Sequence, residues 1–249
     1  MPSNASLNGI HFMLPTPFKA GGEVDTRPYP RLLDCAAAAG CRGVVCLGVM
    51  GEAHRLTDAE RSEVMNAVIA NAGRHRGVGV GLTVTVGISS ESNRVAASRA
   101  REAEAAGAAA VMAAPARLAK PNPLSTFGYY SAIAGAAGIP LVVQDLPEQT
   151  GVHMDPQFIA RLNADLPTAQ YLKLEDPPTP PKVTRIRAAT GNSMGIFGGL
   201  GGAFLFEELR RHHSNLLPQD LLGYAQTILD RVLFLAFAED RQLLPRDTL

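Results

Sequence analysis

The sequence predicts an α/β chain folded as a (β/α)8 TIM-type barrel, with its eighth strand missing or altered and a C-terminal helical segment. Three observations predict it. Short β-type runs recur about every 24–34 residues, the length of a strand, a helix and two short loops. Ala-rich stretches of helical period fill the gaps, so strands alternate with helices; that order specifies a parallel sheet, and right-handed crossovers make it either doubly wound or a barrel. No G-x-G-x-x-G opens the first unit and no composition shift marks a second domain, which favours the barrel, and 249 residues suit one.

In chain order, the runs that read as strands are Ile10–Leu14, Val44–Leu47, Val78–Val86, Ala109–Ala114, Leu141–Leu146, Tyr171–Glu175 and Gly195–Phe197. Helices are expected over Pro28–Ala39, Thr57–Ala72, Ser92–Ala106, Leu124–Ala137, Pro156–Leu162, Pro181–Ala189 and Ala203–Arg211. Thr57-Asp58-Ala59-Glu60 is a capping box, and Gly40, Gly73, Gly107 and Gly138 stand where C-terminal caps belong. After Arg211 the run His212-His213-Ser214-Asn215-Leu216-Leu217-Pro218 offers no buried strand, and helical spacing resumes from Gln219 to Leu244. Residues 1–211 therefore form the barrel body, and 212–249 a helical extension that is not an independent domain.

Composition narrows the function. The chain has 23 basic and 23 acidic side chains, hence no net field to attract phosphate backbones or anionic lipid; neither nucleic acid nor membrane is an expected partner. No apolar run reaches the ~20 residues a membrane helix needs, and Met1-Pro2-Ser3-Asn4 lacks the order of a secretory signal, so a cytoplasmic location is expected. Cys35, Cys41 and Cys46 have no C-x-x-C spacing and sit in apolar surroundings, as packed reduced thiols do. Adjacent His212 and His213 do not converge on a helix end, and His54 reads as a surface residue. No metal and no cofactor is expected.

The chain holds four lysines, Lys19, Lys120, Lys173 and Lys182, and Lys173 is the unusual one. Alternation along Tyr171-Leu172-Lys173-Leu174-Glu175 sends the leucines to one face and Lys173 to the other, the lumen of a barrel. An ammonium dehydrated there releases its proton more easily, giving an amine able to attack a carbonyl, at the strand end where barrel active sites lie. The competing reading is a strand-end lysine paired with Glu175 or Asp176. Gln144 points the same way as Lys173 if their strands share register; its amide orients a carbonyl or water but moves no proton, and composition alone favours a polar strand end facing solvent. The glycines of Gly48-Val49-Met50-Gly51-Glu52 make either an anion-binding nest of backbone N–H groups or a plain tight turn; Gly198 and Gly199 after the seventh strand carry the same ambiguity.

These motifs, with Leu14-Pro15-Thr16-Pro17-Phe18 and Pro147…Thr150-Gly151, together resemble the dihydrodipicolinate synthase/N-acetylneuraminate lyase family of class I aldolases over roughly residues 9–210. The resemblance implies a (β/α)8 barrel with a C-terminal helical extension, assembled as a homo-oligomer, in which the Lys173 amine forms a Schiff base with a 2-oxo acid such as pyruvate or a 2-keto-3-deoxy sugar acid. It implies that the Gly48–Glu52 turn holds the acid's carboxylate. The chain departs from the family pattern at Val49 and Met50, where two hydroxyl residues are usual, at Gln144 in place of a proton-shuttling tyrosine, and at Gln149 in place of the synthases' arginine. The expected function is a carbon–carbon or carbon–oxygen lyase other than the true synthase. The alternative is a catalytically impaired barrel that binds a keto acid or a partner.

Overall fold

A computed structural model gives the structure of residues 7–74, 81–200, 202–212, 217–223 and 225. Among the described residues, seven parallel strands make one sheet in sequence order: β1 His11–Met13, β2 Gly43–Cys46, β3 Thr83–Gly87, β4 Ala110–Ala113, β5 Leu141–Asp145, β6 Tyr171–Leu174 and β7 Gly195–Gly198. Between them run α1 Tyr29–Ala38, α2 Asp58–Ala72, α3 Asn93–Ala106, α4 Pro123–Ala134, α5 Pro147–Thr150, α6 Pro156–Asp165 and α7 Thr179–Thr190, and α8 Leu205–His212 follows β7. The sheet curls. The ring of His11 on the first strand meets that of Phe197 on the seventh at 5.4 Å between centroids.

The strands are rich in apolar residues because helices cover the outside of the sheet and other strands face its inside; Thr85, Gln144 and Lys173 are polar exceptions on the inner face and Asp145 on the outer. Outward side chains such as Val44, Val84, Val111, Val143, Leu172 and Leu174 pack with Leu33, Val64, Ile133 and Ile186 of the helices. Inward side chains Val45, Ala110, Met112 and Val142 gather with Leu7, Met13, Tyr171 and Phe197 into a second, smaller core inside the curl. Tyr171 stacks on Phe197 and its hydroxyl accepts from the Leu7 amide at 3.1 Å, so an aromatic pair lines the lumen beside Lys173.

The helix ends follow local chemistry. The Thr57–Glu60 capping box forms, Asn122 and Ser125 make a second at α4, and Gly107 caps α3 in the left-handed region. Gly40 takes a positive φ just past the α1 cap, and Gly73 caps α2 with ordinary helical angles. One expected cap is corrected: α4 stops at Ala134 with Gly135 as its cap, and Gly138 instead donates its N–H to Glu104, because the chain must straighten early to enter β5. The single turn α5 lies where no helix was expected. The start of the expected third strand (78–80), the segment 213–216 and most of the C-terminal helix expected to 244 lie outside the described residues.

Candidate active site

The carboxyl ends of β5, β6 and β7 bring the site together. Gln144 pairs with Lys173 and Lys173 with Phe197 across the two ladders, so Gln144 and Lys173 share one lumen, as the alternation predicts. The residue between them is Glu175. Its Oε1 lies 3.1 Å from Lys173 Nζ, and its Oε2 accepts a 2.8 Å hydrogen bond from Gln144 Nε2. Lys173 and Glu175 side chains are 14% and 9% exposed, so the two readings of the lysine coincide: it is inside the lumen and it is ion-paired.

Gly199 makes room for this pair. A Cβ there would collide with Glu175 Cγ and Cδ and stand 2.9 Å from Lys173 Cε. Its N–H is spent on Leu174 O at 3.1 Å, and Gly198 beside it is exposed at the end of β7.

The Gly48–Glu52 turn follows β2 at the same end of the sheet. Gly48 faces the tips of Met13 and Met112, and Gly51 O accepts from the buried Thr16 hydroxyl at 2.6 Å. Glu52 N donates to Val49 O at 3.0 Å, closing the turn, while the N–H groups of Val49 and Met50 donate to none of the described residues. Val49 and Met50 side chains are exposed. Glu52 sits at φ 49° and its carboxylate turns outward to Arg55 at 2.9 Å, so it reaches this turn by backbone alone. His54 is exposed, as expected.

Buried Arg61 pins the turn to the sheet by donating to Ala53 O at 2.9 Å and Gly87 O at 2.8 Å; burial lowers its pKa to about 10, which leaves it charged at neutral pH. Leu47 takes φ 57° where β2 enters the turn, and its carbonyl presses on Gly87, where any side chain would clash.

Behind the sheet lies a second polar group that sequence reasoning missed. Asp145, next to Gln144 but facing the helices, is fully buried and receives a 2.6 Å bond from Lys182 Nζ on α7; the same ammonium reaches Asp176 at 2.7 Å. Burial pushes the Asp145 carboxyl up to about 6, against the pull of Lys182. The signal that could have found it was the acidic residue at an outward position of β5; nothing local names Lys182, on α7 beyond two intervening helices, as its partner. On β2, burial also pushes the Cys46 thiol up to about 12, and Cys41 is buried while Cys35 is half-buried.

Among the described residues no three His, Cys, Asp or Glu converge as metal ligands, and no helix is long and apolar enough to cross a membrane.

Residues 6–208 match the model of the dihydrodipicolinate synthetase family. The 4-hydroxy-tetrahydrodipicolinate synthase of Xylella fastidiosa is 36% identical over 157 residues, which are 63% of this chain and 50% of that protein. The chain spans about half the length of the curated relatives it matches. Dihydrodipicolinate synthase of Rhodopseudomonas palustris superposes with a TM-score of 0.74 at 30% identity, covering 92% of this chain and 78% of that one. The chloride-inhibited synthase of Acinetobacter baumannii, solved complexed with pyruvate, shares the fold at 20% identity and a TM-score of 0.76, over 92% and 80% of the two chains.

Proposed function

Because the chain belongs to the dihydrodipicolinate synthetase family, we propose that it is a lyase that condenses Lys173 with a 2-oxo acid, pyruvate or a 2-keto-3-deoxy sugar acid, and then makes or breaks a carbon–carbon or carbon–oxygen bond. One observation carries the reading: the Lys173 amine lies in the lumen, only 14% exposed and in register with Gln144, beside the stacked rings of Tyr171 and Phe197. The Gly48–Glu52 turn and Gly198–Gly199 follow strands at the same end of the sheet; the amides of Val49 and Met50 are the donors left for a substrate carboxylate. Gln149 is exposed and uncharged, so a second substrate carboxylate finds no arginine there, and activity as the true synthase is not part of the proposal.

Borohydride reduction in the presence of a panel of 2-oxo acids, followed by peptide mapping, tests it. An adduct on Lys173, absent from Lys173→Met, is the expected result. Failure of every acid to modify Lys173 overturns the reading. Gln144 at the place of the usual tyrosine favours a second reading, a barrel that only binds the acid; saturable pyruvate binding without adduct or turnover is its signature. A homo-oligomer in the cytoplasm completes the proposal, and sedimentation of the full chain reads the first of these.

A further inference from the structure

Resting on that reading, we propose that Glu175 is the catalytic acid and base of this site, moving the protons of imine formation and of the carbon next to the imine. Gln144 cannot do so, since near neutral pH an amide neither gives up nor takes up a proton as an acid or base. Tyr171 is stacked below on Phe197 and engaged with Leu7, and Tyr130 lies on the helix side with its hydroxyl on Ala113 O. Among the described residues, Glu175 is the group that puts an ionisable oxygen on Lys173 Nζ, at 3.1 Å. It is also aimed: Gln144 Nε2 holds the far oxygen at 2.8 Å, so the near oxygen faces the amine. The bare Cα of Gly199 is an independent sign that the place is kept open for these two side chains.

The proton balance closes within the pair. Glu175 takes one proton from the Lys173 ammonium. The amine attacks C2 of the oxo acid, the N–C bond forms, and a proton passes from nitrogen to oxygen to give the neutral carbinolamine. Glu175 returns its proton to that hydroxyl, the C–O bond breaks and water leaves, so ammonium plus ketone has become iminium plus water. The carboxylate, ionised again, removes a proton from C3, and those electrons neutralise the iminium as an enamine. An enamine formed this way then adds to an aldehyde whose oxygen takes the proton back, or expels a C4 hydroxyl that leaves as water with it.

The test is exchange of the pyruvate methyl protons in D2O, followed by NMR, beside borohydride trapping. Loss of a positioned acid/base costs roughly 10²–10⁴-fold, so Glu175→Gln is expected to slow exchange by at least ~10²-fold while Lys173 is still trapped at alkaline pH, where hydroxide deprotonates the amine. Glu175→Ala opens a carboxylate-sized space beside Lys173, and added formate is expected to restore exchange in proportion to its concentration. That rescue is a response no purely structural role gives, and it stands if the glutamine variant folds poorly. Wild-type protein that traps pyruvate and exchanges its methyl protons, with Glu175→Gln exchanging within about threefold of it, overturns the proposal and leaves the lyase reading intact. So does Glu175→Ala that traps pyruvate but ignores formate. Wild-type protein that traps nothing overturns the lyase reading itself, and this proposal with it.

Discussion

Lys182→Met tests whether the polar group behind the sheet positions the strand ends that carry the site. The variant keeps the apolar stem and removes the charge that Asp145 and Asp176 share at 2.6 and 2.7 Å. Asp145 has no exposed surface, and its carboxyl is held at about 6 against an ordinary 3.8 even with the ammonium beside it. A folded-state pKa above the unfolded one means that folding favours the protonated acid: the benefit is full below about 3.8 and is lost as the pH climbs through about 6. Near pH 7 the wild-type carboxylate stays charged against Lys182, whereas in the variant its pKa climbs further and it must take up a proton to stay buried.

Each pH unit between about 6 and neutrality then adds about 1.4 kcal/mol to the variant's deficit, and removing one partner of a buried pair costs 3–5 kcal/mol where nothing compensates. Allowing for protonation as the compensation, the expected loss near pH 7 is about 2–4 kcal/mol, or roughly 5–15 °C in Tm for a chain of this size. Near pH 5 wild-type Asp145 is already mostly protonated, so the deficit shrinks by at least ~1 kcal/mol. Urea unfolding followed by circular dichroism at both pH values measures it. A loss under about 1 kcal/mol near pH 7, or a loss that grows on acidification, refutes the reasoning.

Two further outcomes separate room from charge at the site. Gly199→Ala forces Glu175 out of its place, and trapping of pyruvate on Lys173 is expected to fall by more than ~10-fold; Tm should move little, because the colliding atoms are side-chain atoms that can turn toward the open end of the lumen, and an unchanged trapping rate refutes this. Glu52→Gly relieves a left-handed non-glycine residue, about 1 kcal/mol, and loses an exposed ion pair with Arg55 of about 0.2–1 kcal/mol, so a small gain in urea midpoint is expected, and a clear loss refutes the accounting.

The alternation of strand and helix was legible because period two and period 3.6 are local properties, and the same logic put Leu172 and Leu174 outside and Lys173 inside. The register of Gln144 with Lys173 was legible only as a condition, since it depends on how two strands slide past each other. Glu175 reads in sequence as a strand-end carboxylate; that it bridges Lys173 and Gln144 depends on the curl between β6 and β7 and on the bare Gly199. The pairing of Asp145 with Lys182 spans 37 residues and no local pattern announces it. The left-handed backbone at Leu47 and Glu52 escaped as well, because a turn written with glycines at 48 and 51 draws the eye to those two.

Strand β5 carries polar side chains on both faces, Gln144 inside, level with Lys173 of β6, and Asp145 outside, with Glu175 and Asp176 just past the end of β6. A parallel sheet covered on both faces gains nothing from charge at those positions, since each buried ion must be desolvated before its partner repays it. The arrangement makes sense as a division of labour. Lys182 ties the tip of β5 to the loop after β6 from the helix side, which fixes the height of one strand end against the other. That height sets whether Gln144 Nε2 meets Glu175, and so whether the carboxylate faces Lys173. Geometry at the lumen is therefore coupled to an ion pair on the opposite face, and a variant that loosens the outer pair should disturb the inner one before it unfolds the chain. Lys182→Met near pH 5, where the stability deficit is smaller, tests that coupling: adduct formation that falls below wild type at the same pH, while circular dichroism shows the variant still folded, is loss of position, and adduct formation equal to wild type refutes the coupling.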